Sequence, residues 1–392
     1  MVIVKTPLRI SFVGGGSDMK NYYSRKTGSV VSTTIDKYVY AIVKERFDEL
    51  IYVNYSKKEC VDHIDKIRHD LVREAMKMTG ITKGIEITTL ADIPSMGSGL
   101  GSSSSITVAL LHALYTYQNV LITAEQLAAD ACRIEIDILG KPIGRQDQYA
   151  AAYGGLNKFT FHKGGLTHRI PVKMSGAAKR KFASSLILYY TGITRSSDKI
   201  LSEQSSNLLS KERFLSMEKM VSLVDPFVDA MVRGDIEKCG ELMAQNWELK
   251  QKMATGISNR KIQRMYKKAL EAGALAGKVA GAGGGGFLLL MVPRERQNAV
   301  FEAMREYREL PFMIEESGSK VIFDDRSYST KLAFVFHCFL ISIAVSGRLK
   351  HPGGLSPKLC SMEVGYFLAC ESLSPQAAGL MPVRSLFNGE SN

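Results

Sequence analysis

Apolar and polar positions change period several times along this chain, and each change marks an element. Over residues 3–12 the period is two: Leu8, Ile10 and Phe12 fall on one side, Arg9 and Ser11 on the other, as on a half-buried strand. Further strands are predicted over 30–45, 51–55 and 85–90, with a helix around 65–79 between them. From Ile106 the period lengthens. Ile106, Ala109, Leu110, Ala113, Leu114 and Tyr117 recur at the three-to-four spacing of one buried helical face. A second helix opens at Thr123, where Gln126 completes a capping box, and stops near Gly140 and Pro142. A short helix over 146–153 ends at Gly154-Gly155 and feeds a strand over 156–161. The second half mixes elements in the same way. It reads as a strand over 185–190, two long helices separated at Arg233-Gly234-Asp235, and a helix over 258–275. A strand over 287–292, a helix over 294–308 and a strand over 313–323 follow. Interleaved strands and helices without a long parallel βαβ series predict an α+β chain of two domains, 1–182 and 183–323, with a cleft between them. There is no internal repeat.

Chemistry first shows at the joint between the strand ending near residue 90 and the helix beginning near 106. The run Pro94-Ser95-Met96-Gly97-Ser98-Gly99-Leu100-Gly101-Ser102-Ser103-Ser104-Ser105 puts three glycines in five residues and then four serines. Glycines without Cβ atoms let backbone approach a ligand closely. A helix start behind them presents free N–H groups and a partial positive charge, which suits a phosphate. The serine hydroxyls add hydrogen bonds or ligate a hard cation such as Mg²⁺. No lysine follows the last glycine, so this is not a GxxxxGK[ST] P-loop. A flexible connector is the plainer reading, but a connector is not clamped between a proline and an amphipathic helix. Two more glycine clusters flank element ends: Gly14-Gly15-Gly16-Ser17-Asp18 after the first strand, and Gly281 through Gly286 before the strand at 287. Together they suggest backbone converging on one ligand.

The 392 residues suffice for two domains, and 45% hydrophobic with 23% charged residues is ordinary for a globular protein. The chain begins directly in a strand, without a basic region and apolar stretch, so a cytoplasmic location is expected. The six cysteines show no CxxC or metal-ligand spacing, and the histidines form no HExxH pair, which argues against disulfides and zinc. A net charge of +12 admits nucleic acid, but the basic residues are scattered and no binding module is present. Attraction of anionic small molecules accounts for it equally, without nucleic-acid or membrane partners.

The three glycine-rich motifs, in this order, resemble those of the GHMP kinase superfamily: Pro7-Leu8-Arg9 through Asp18, Pro94 through Ser105, and Lys278 through Gly286. The resemblance spans about residues 1–323. Within the superfamily, Pro142 to Asn157 and Tyr190-Thr191-Gly192-Ile193-Thr194-Arg195 are most similar to D-glycero-D-manno-heptose 7-phosphate kinases, with L-fucose kinases a near relative. This implies a ribosomal-protein-S5-like N-terminal half, a ferredoxin-like C-terminal half and an active site in the cleft. It also implies ATP and Mg²⁺ as cofactors, a sugar or sugar-phosphate substrate, and a monomer or homodimer.

The resemblance assigns roles that the residues can bear. Pro94, Gly97, Ser98, Gly99, Leu100, Gly101, Ser102 and Ser103 would cradle the nucleotide, with Ser103 also a metal ligand. Glu135, at the edge of the stripe Leu127, Ala131, Ile134 and Ile138, would be the second metal ligand, although a salt bridge to Arg133 or Lys141 explains a carboxylate there as well. Asp147 matches the catalytic base, at a helix start that keeps a carboxylate ionised, where N-capping alone would also place an aspartate. Arg9 matches the cation beside the transferred phosphoryl. Gly16, Ser17, Asp18, Arg195, Gly283 and Gly284 would meet the substrate. Galactokinases carry Glu-His where this chain has Gly15-Gly16, which argues for a bulkier sugar. Arg145, Lys158 and Arg195 are the cations considered for a distal phosphate. The rival readings are another kinase of the superfamily (fucose, galactose or hexosamine, or a mevalonate-type alcohol) and a sensor that binds ATP and sugar without turnover. A Rossmann dehydrogenase is disfavoured, because no GxGxxG opens a βαβ unit.

Residues 324–392 fit none of this. The apolar run Leu332–Val345 has 14 residues, short of the about 20 that span a bilayer. An appended helix, a membrane-touching segment and a stretch read in an altered frame remain open, and the tail is expected to carry no function.

Overall fold

The computed structural model describes residues 1–93, 97–194 and 197–325. The alternation at the start of the chain becomes β1 (Val2–Val13), whose partner β2 (Gly28–Glu45) runs antiparallel along its whole length. β2 has 18 residues and works in two halves. Its last third pairs with β5 (Ile85–Ala91), and its start pairs with β6 (Leu156–Phe161). The sheet continues through β3 (Ile51–Asn54), parallel to β5, to β4 (Lys58–Val61); β7 (Thr167–Pro171) hangs on β6. A second, three-stranded antiparallel sheet has the order β8 (Leu186–Tyr190), β10 (Phe287–Met291), β9 (Ala276–Val279).

The chain then returns to the first sheet. The strand expected over 313–323 is two short ones, β11 (Ile314–Glu315) on β2 and β12 (Lys320–Asp324) on β1. Val2 pairs with Asp324, so the last described residues close the edge beside the first. Apart from Asp324 and Asp325, the tail lies outside the described residues.

Most helices begin and end where the local chemistry allows. Thr123 accepts the Gln126 N–H at 3.1 Å, one half of the expected capping box. The other half is absent, because the Gln126 amide donates to Asp130 instead. That helix stays α only over Ala124–Cys132 and continues as a π-helix over Arg133–Ile138, marked by the Leu139 N–H to Ile134 carbonyl bond. π-turns concentrate at functional sites, and this one carries Glu135. The first of the two long helices expected before Gly234 is three shorter ones: Asp198–Asn207, Lys211–Ser222 and Val224–Arg233. Serines and an asparagine at 205–210 break the run in favour of caps, Ser210 accepting the Arg213 N–H.

One apolar core lies between the first sheet and the helices Asp70–Thr79, Ser102–Tyr117 and Ala124–Cys132, and reaches Phe182 at the boundary and Phe227 and Leu289 of the second half. Phe12 anchors that junction, its ring centroid 5.1 Å from that of Phe182 and 5.7 Å from that of Phe227. Aromatic packing at Phe12 thus stands two residues before Gly14, where the glycine turn begins. A second core, lined by methionines, surrounds Trp247, the single tryptophan, which is 1% exposed on the helix Ile236–Gln251. No helix among the described residues is long and apolar enough to cross a membrane.

Candidate active site

The loop Gly97–Gly101 and the start of the helix Ser102–Tyr117 form one wall of a cleft. Gly101 occupies the N-cap in the left-handed region, φ 79°, and no side chain caps the helix. Ser105 N–H is the first to bond back, to the Gly101 carbonyl at 2.9 Å. The preceding N–H groups and the helix dipole are therefore available to an anion. The third glycine cluster packs directly on this loop. A Cβ on Gly281, at φ +67°, would stand 2.6 Å from the Gly99 carbonyl oxygen, and one on Gly99 would stand 2.4 Å from that of Ala280. Glycine at both positions is what lets the two backbones touch.

Arg9, 4% exposed on β1, joins the loop to the short helix Gln146–Tyr153. Its main-chain N–H donates to the Leu100 carbonyl, and its Nη1 donates to the Gly99 carbonyl at 2.6 Å. Its Nε and Nη2 donate to the two carboxylate oxygens of Asp147 at 2.7 and 2.5 Å, a bidentate fork. Asp147 does not cap its helix. Arg145 is at the N-cap without a side-chain cap bond, and the Gln146 N–H is satisfied by Asp18 Oδ2 at 3.2 Å. The capping explanation for an aspartate at 147 is thereby removed.

Ser103 Oγ donates to Glu135 Oε1 at 2.7 Å, and Gln148 donates to the other oxygen at 2.7 Å. Lys141 stands 3.6 Å from the same Glu135 oxygen and 3.3 Å from Ser103 Oγ. Glu135 is fully buried, because the π-turn carries it inward from the edge of the stripe. The salt-bridge alternative at Glu135 therefore holds for Lys141, alongside the contact with Ser103.

Three chambers follow one another along the cleft. The outermost has an apolar floor of Ile93, Tyr190, Phe287 and Leu310 and shares Gly97, Ser98 and Thr194 with the next. The middle one is lined by the glycine loop, Ser102, Ser103, Glu135 and Lys141. The innermost is lined by Gly16, Asp18, Gln146, Asn246, Lys250 and Lys278 among others. Arg9, Asp147, Gly281 and Ala282 line both of the inner two.

Several residues expected in the site are placed elsewhere. Ser17 is fully buried, its hydroxyl donating to the Ser29 carbonyl, so it braces the turn below the chamber. Leu100 turns its side chain into the core and offers only its carbonyl, to Arg9. Gly283 and Gly284 lie against Ile257, whose carbonyl takes the Gly284 N–H at 2.8 Å, and Gly281 with Ala282 line the chambers in their place. Pro94 and Arg195 lie outside the described residues. Lys158 pairs with Asp225, and Arg145 donates to the Gly165 carbonyl.

Two lysines of the inner chamber were not singled out in the sequence. Lys250 donates to the Gly15 carbonyl at 3.2 Å and to Gln204 at 2.7 Å; Lys278 donates to the Ser11 carbonyl at 2.7 Å. A signal was present. Cys239, Leu242, Met243, Asn246, Trp247 and Lys250 are the buried stripe of one helix, and polar residues at two of those positions ask for a partner.

Burial lowers the Lys250 ammonium to about 8, and burial with the charges of Lys250 and Arg9 lowers Lys278 to about 7. Burial and then Asp147 push the Asp18 carboxyl up, against the Gln146 and Gly16 N–H bonds that pull it down. Lysines depressed in the folded state contribute stability above the ordinary value of 10.5 and lose it as pH falls through 8 and then 7. Thermal melts of the ligand-free protein are therefore expected to move to lower temperature between pH 9 and pH 7, and a flat profile would contradict it.

Known proteins match this chain in two separate segments. Residues 63–155 match the GHMP kinases N terminal domain and 227–309 the GHMP kinases C terminal domain. The chain is 29% identical over 314 residues to the D-glycero-alpha-D-manno-heptose 7-phosphate kinase of Campylobacter jejuni, covering 77% of this chain and 92% of that one. It is 26% identical over 335 residues to the bifunctional fucokinase/GDP-fucose pyrophosphorylase of Arabidopsis thaliana, covering 78% of this chain and 31% of that one. Among solved structures, a D-glycero-D-manno-heptose 1-phosphate kinase from Bacteroides thetaiotaomicron superposes with a TM-score of 0.69 at 27% identity, covering 83% of this chain and 99% of that one. With both domain models matched in the family's order, the chain carries the N- and C-terminal domains of the GHMP kinases.

Proposed function

We propose that this ATP-dependent phosphotransferase, a sugar kinase by family, phosphorylates the anomeric C1 hydroxyl of a heptose that already carries a phosphate, D-glycero-D-manno-heptose 7-phosphate. The carrying observation is the position of the Arg9–Asp147 fork, which lines both the loop chamber and the inner chamber. ATP fits the outer two chambers, with its base on the apolar floor by Tyr190 and Phe287 and its phosphates on the Gly97–Ser103 backbone. The acceptor fits the inner one, its hydroxyls within reach of Asp18 and Gln146. The halves responsible are residues 1–182 and 183–323, and the protein acts in the cytoplasm as a monomer or homodimer.

Asp147 takes the proton as the acceptor O–H bond breaks. The new O–P bond forms as the terminal P–O bond of ATP breaks, and ADP leaves. Arg9 holds the carboxylate in place and meets the charge that develops on the moving phosphoryl. Mg²⁺ fits the oxygen donors Ser103 and Glu135, which are 2.7 Å apart. Among the described residues no cluster of three His, Cys, Asp or Glu exists to cage a metal, so phosphate oxygens and water would complete its shell. When bound, it would neutralise phosphate charge.

Two of the similar proteins are named for a phosphorylated heptose and differ over which phosphate, so both isomers belong in the test. An ATP-consumption screen over sugars and sugar phosphates is expected to give the highest kcat/KM with heptose 7-phosphate. Better turnover of galactose or fucose would leave the family and remove this acceptor. ATP binding without turnover of any acceptor would favour the sensor reading.

A further inference from the structure

Lys250 and Lys278 are 6% and 5% exposed, and among the described residues neither meets a carboxylate at ion-pair distance. Their hydrogen bonds go to main-chain carbonyls, the Ser11 hydroxyl and one amide, all neutral groups. Two like charges taken out of water this way are costly unless something of opposite sign joins them. The charged groups that face them are Arg9 from β1, Asp18 from the glycine turn and Asp147 from the short helix. Asp147 is already taken by Arg9, and Asp18 is held by two N–H groups. The amide that Lys250 uses belongs to Gln204, which is fully buried and keeps its Nε2 without a partner. Gln146 Oε1 is buried without a partner too, at the wall of the same chamber. Gln204 thus keeps one unused donor beside Lys250, and Gln146, a residue of the chamber wall, keeps one unused acceptor.

We propose that Lys250 and Lys278 are the seat of an anionic substituent of the acceptor and set the preference for a phosphorylated over a free sugar. This rests on the kinase reading above, with the anion a phosphate. Of the cations considered from sequence, Lys158 pairs with Asp225 and Arg145 braces the Gly165 turn, while Arg195 lies outside the described residues. The lysines approach the chamber from the C-terminal half, on the helix Ile236–Gln251 and on β9, opposite the glycine turn. An anion there would bridge both halves around the acceptor.

The test compares Lys250→Met and Lys278→Met with the unaltered protein on heptose 7-phosphate and on the free heptose. Each variant is expected to lose about 10- to 100-fold in kcat/KM on the phosphorylated acceptor, the range for one charge-assisted hydrogen bond. The loss on the free sugar should be several-fold smaller than on the phosphorylated one, and the KM for ATP should hardly change. Each is also expected to melt at the same or a higher temperature at pH 7, since an unpaired buried charge is removed. Equal losses on both acceptors would overturn the proposal.

A measurement without variants stands beside it. Titration of heptose 7-phosphate into the unaltered protein at pH 8, in buffers of different ionisation enthalpy, is expected to show proton uptake as the lysines regain charge. No uptake would overturn the proposal. Absence of ATP turnover with any phosphorylated acceptor would instead sink the kinase reading, while this titration would still report the anion seat.

Discussion

Asp147→Asn is expected to lower kcat by about 10²-fold or more, the usual scale for a lost general base, while ATP still binds. The substitution keeps the shape and removes the charge. An amide presents one oxygen where the guanidinium of Arg9 offers two donors, so one arm of the fork is lost with the proton acceptor. The helix itself should persist, because its first N–H is held by Asp18 and not by Asp147. Single-turnover kinetics with Mg²⁺-ATP, read beside nucleotide affinity and a thermal melt, separates the effects. Turnover close to normal would mean that Asp147 serves only to hold Arg9. Recovery of a phosphorylated protein from such a turnover would rule out direct transfer.

Arg9→Met is expected to cost about 10²- to 10³-fold in kcat, the scale for removing one preorganised donor from a developing charge. Unlike the aspartate change, it should also weaken the fold. The guanidinium is 4% exposed and ties three segments together: β1, the Gly99 carbonyl and Asp147. Breaking a fully buried ion pair costs about 3–5 kcal/mol. Asp147 is 23% exposed and recovers some hydration, so about 2 kcal/mol is expected here. Arg9→Lys should recover charge without the fork and leave most of the rate loss in place. Denaturant unfolding and kcat together check this; an Arg9→Met protein with full stability and activity would mean the fork is incidental.

The parts of this site legible in sequence were those made by backbone and by short-range pattern. Glycines at 97, 99 and 101 followed by a helical period have few other uses, and the alternation around Arg9 placed it on the face opposite Leu8 and Ile10. What stayed hidden was set by contacts far apart in the chain. Nothing local distinguishes Gly281 from Gly283; only the approach of residue 99 decides which of them borders the cleft. The resemblance assigns Ser17 and Asp18 alike to the substrate, yet a turn sends one to the Ser29 carbonyl and the other to the chamber. The inward move of Glu135 depends on a π-turn, which no apolar spacing announces. Lys250 was visible as a polar residue on an apolar stripe, but its meaning required Lys278, 28 positions on, to arrive at the same wall.

The single tryptophan has a practical consequence. Trp247 lies one residue after Asn246 and three before Lys250, in the methionine-lined core, and the larger core around the nine-stranded sheet has no indole. Intrinsic fluorescence is therefore a built-in optical gauge of one core alone. If the two cores melt as one cooperative body, the emission change and the loss of far-ultraviolet ellipticity will coincide. If they separate, the light will follow the helix that carries Lys250 while the ellipticity follows the sheet.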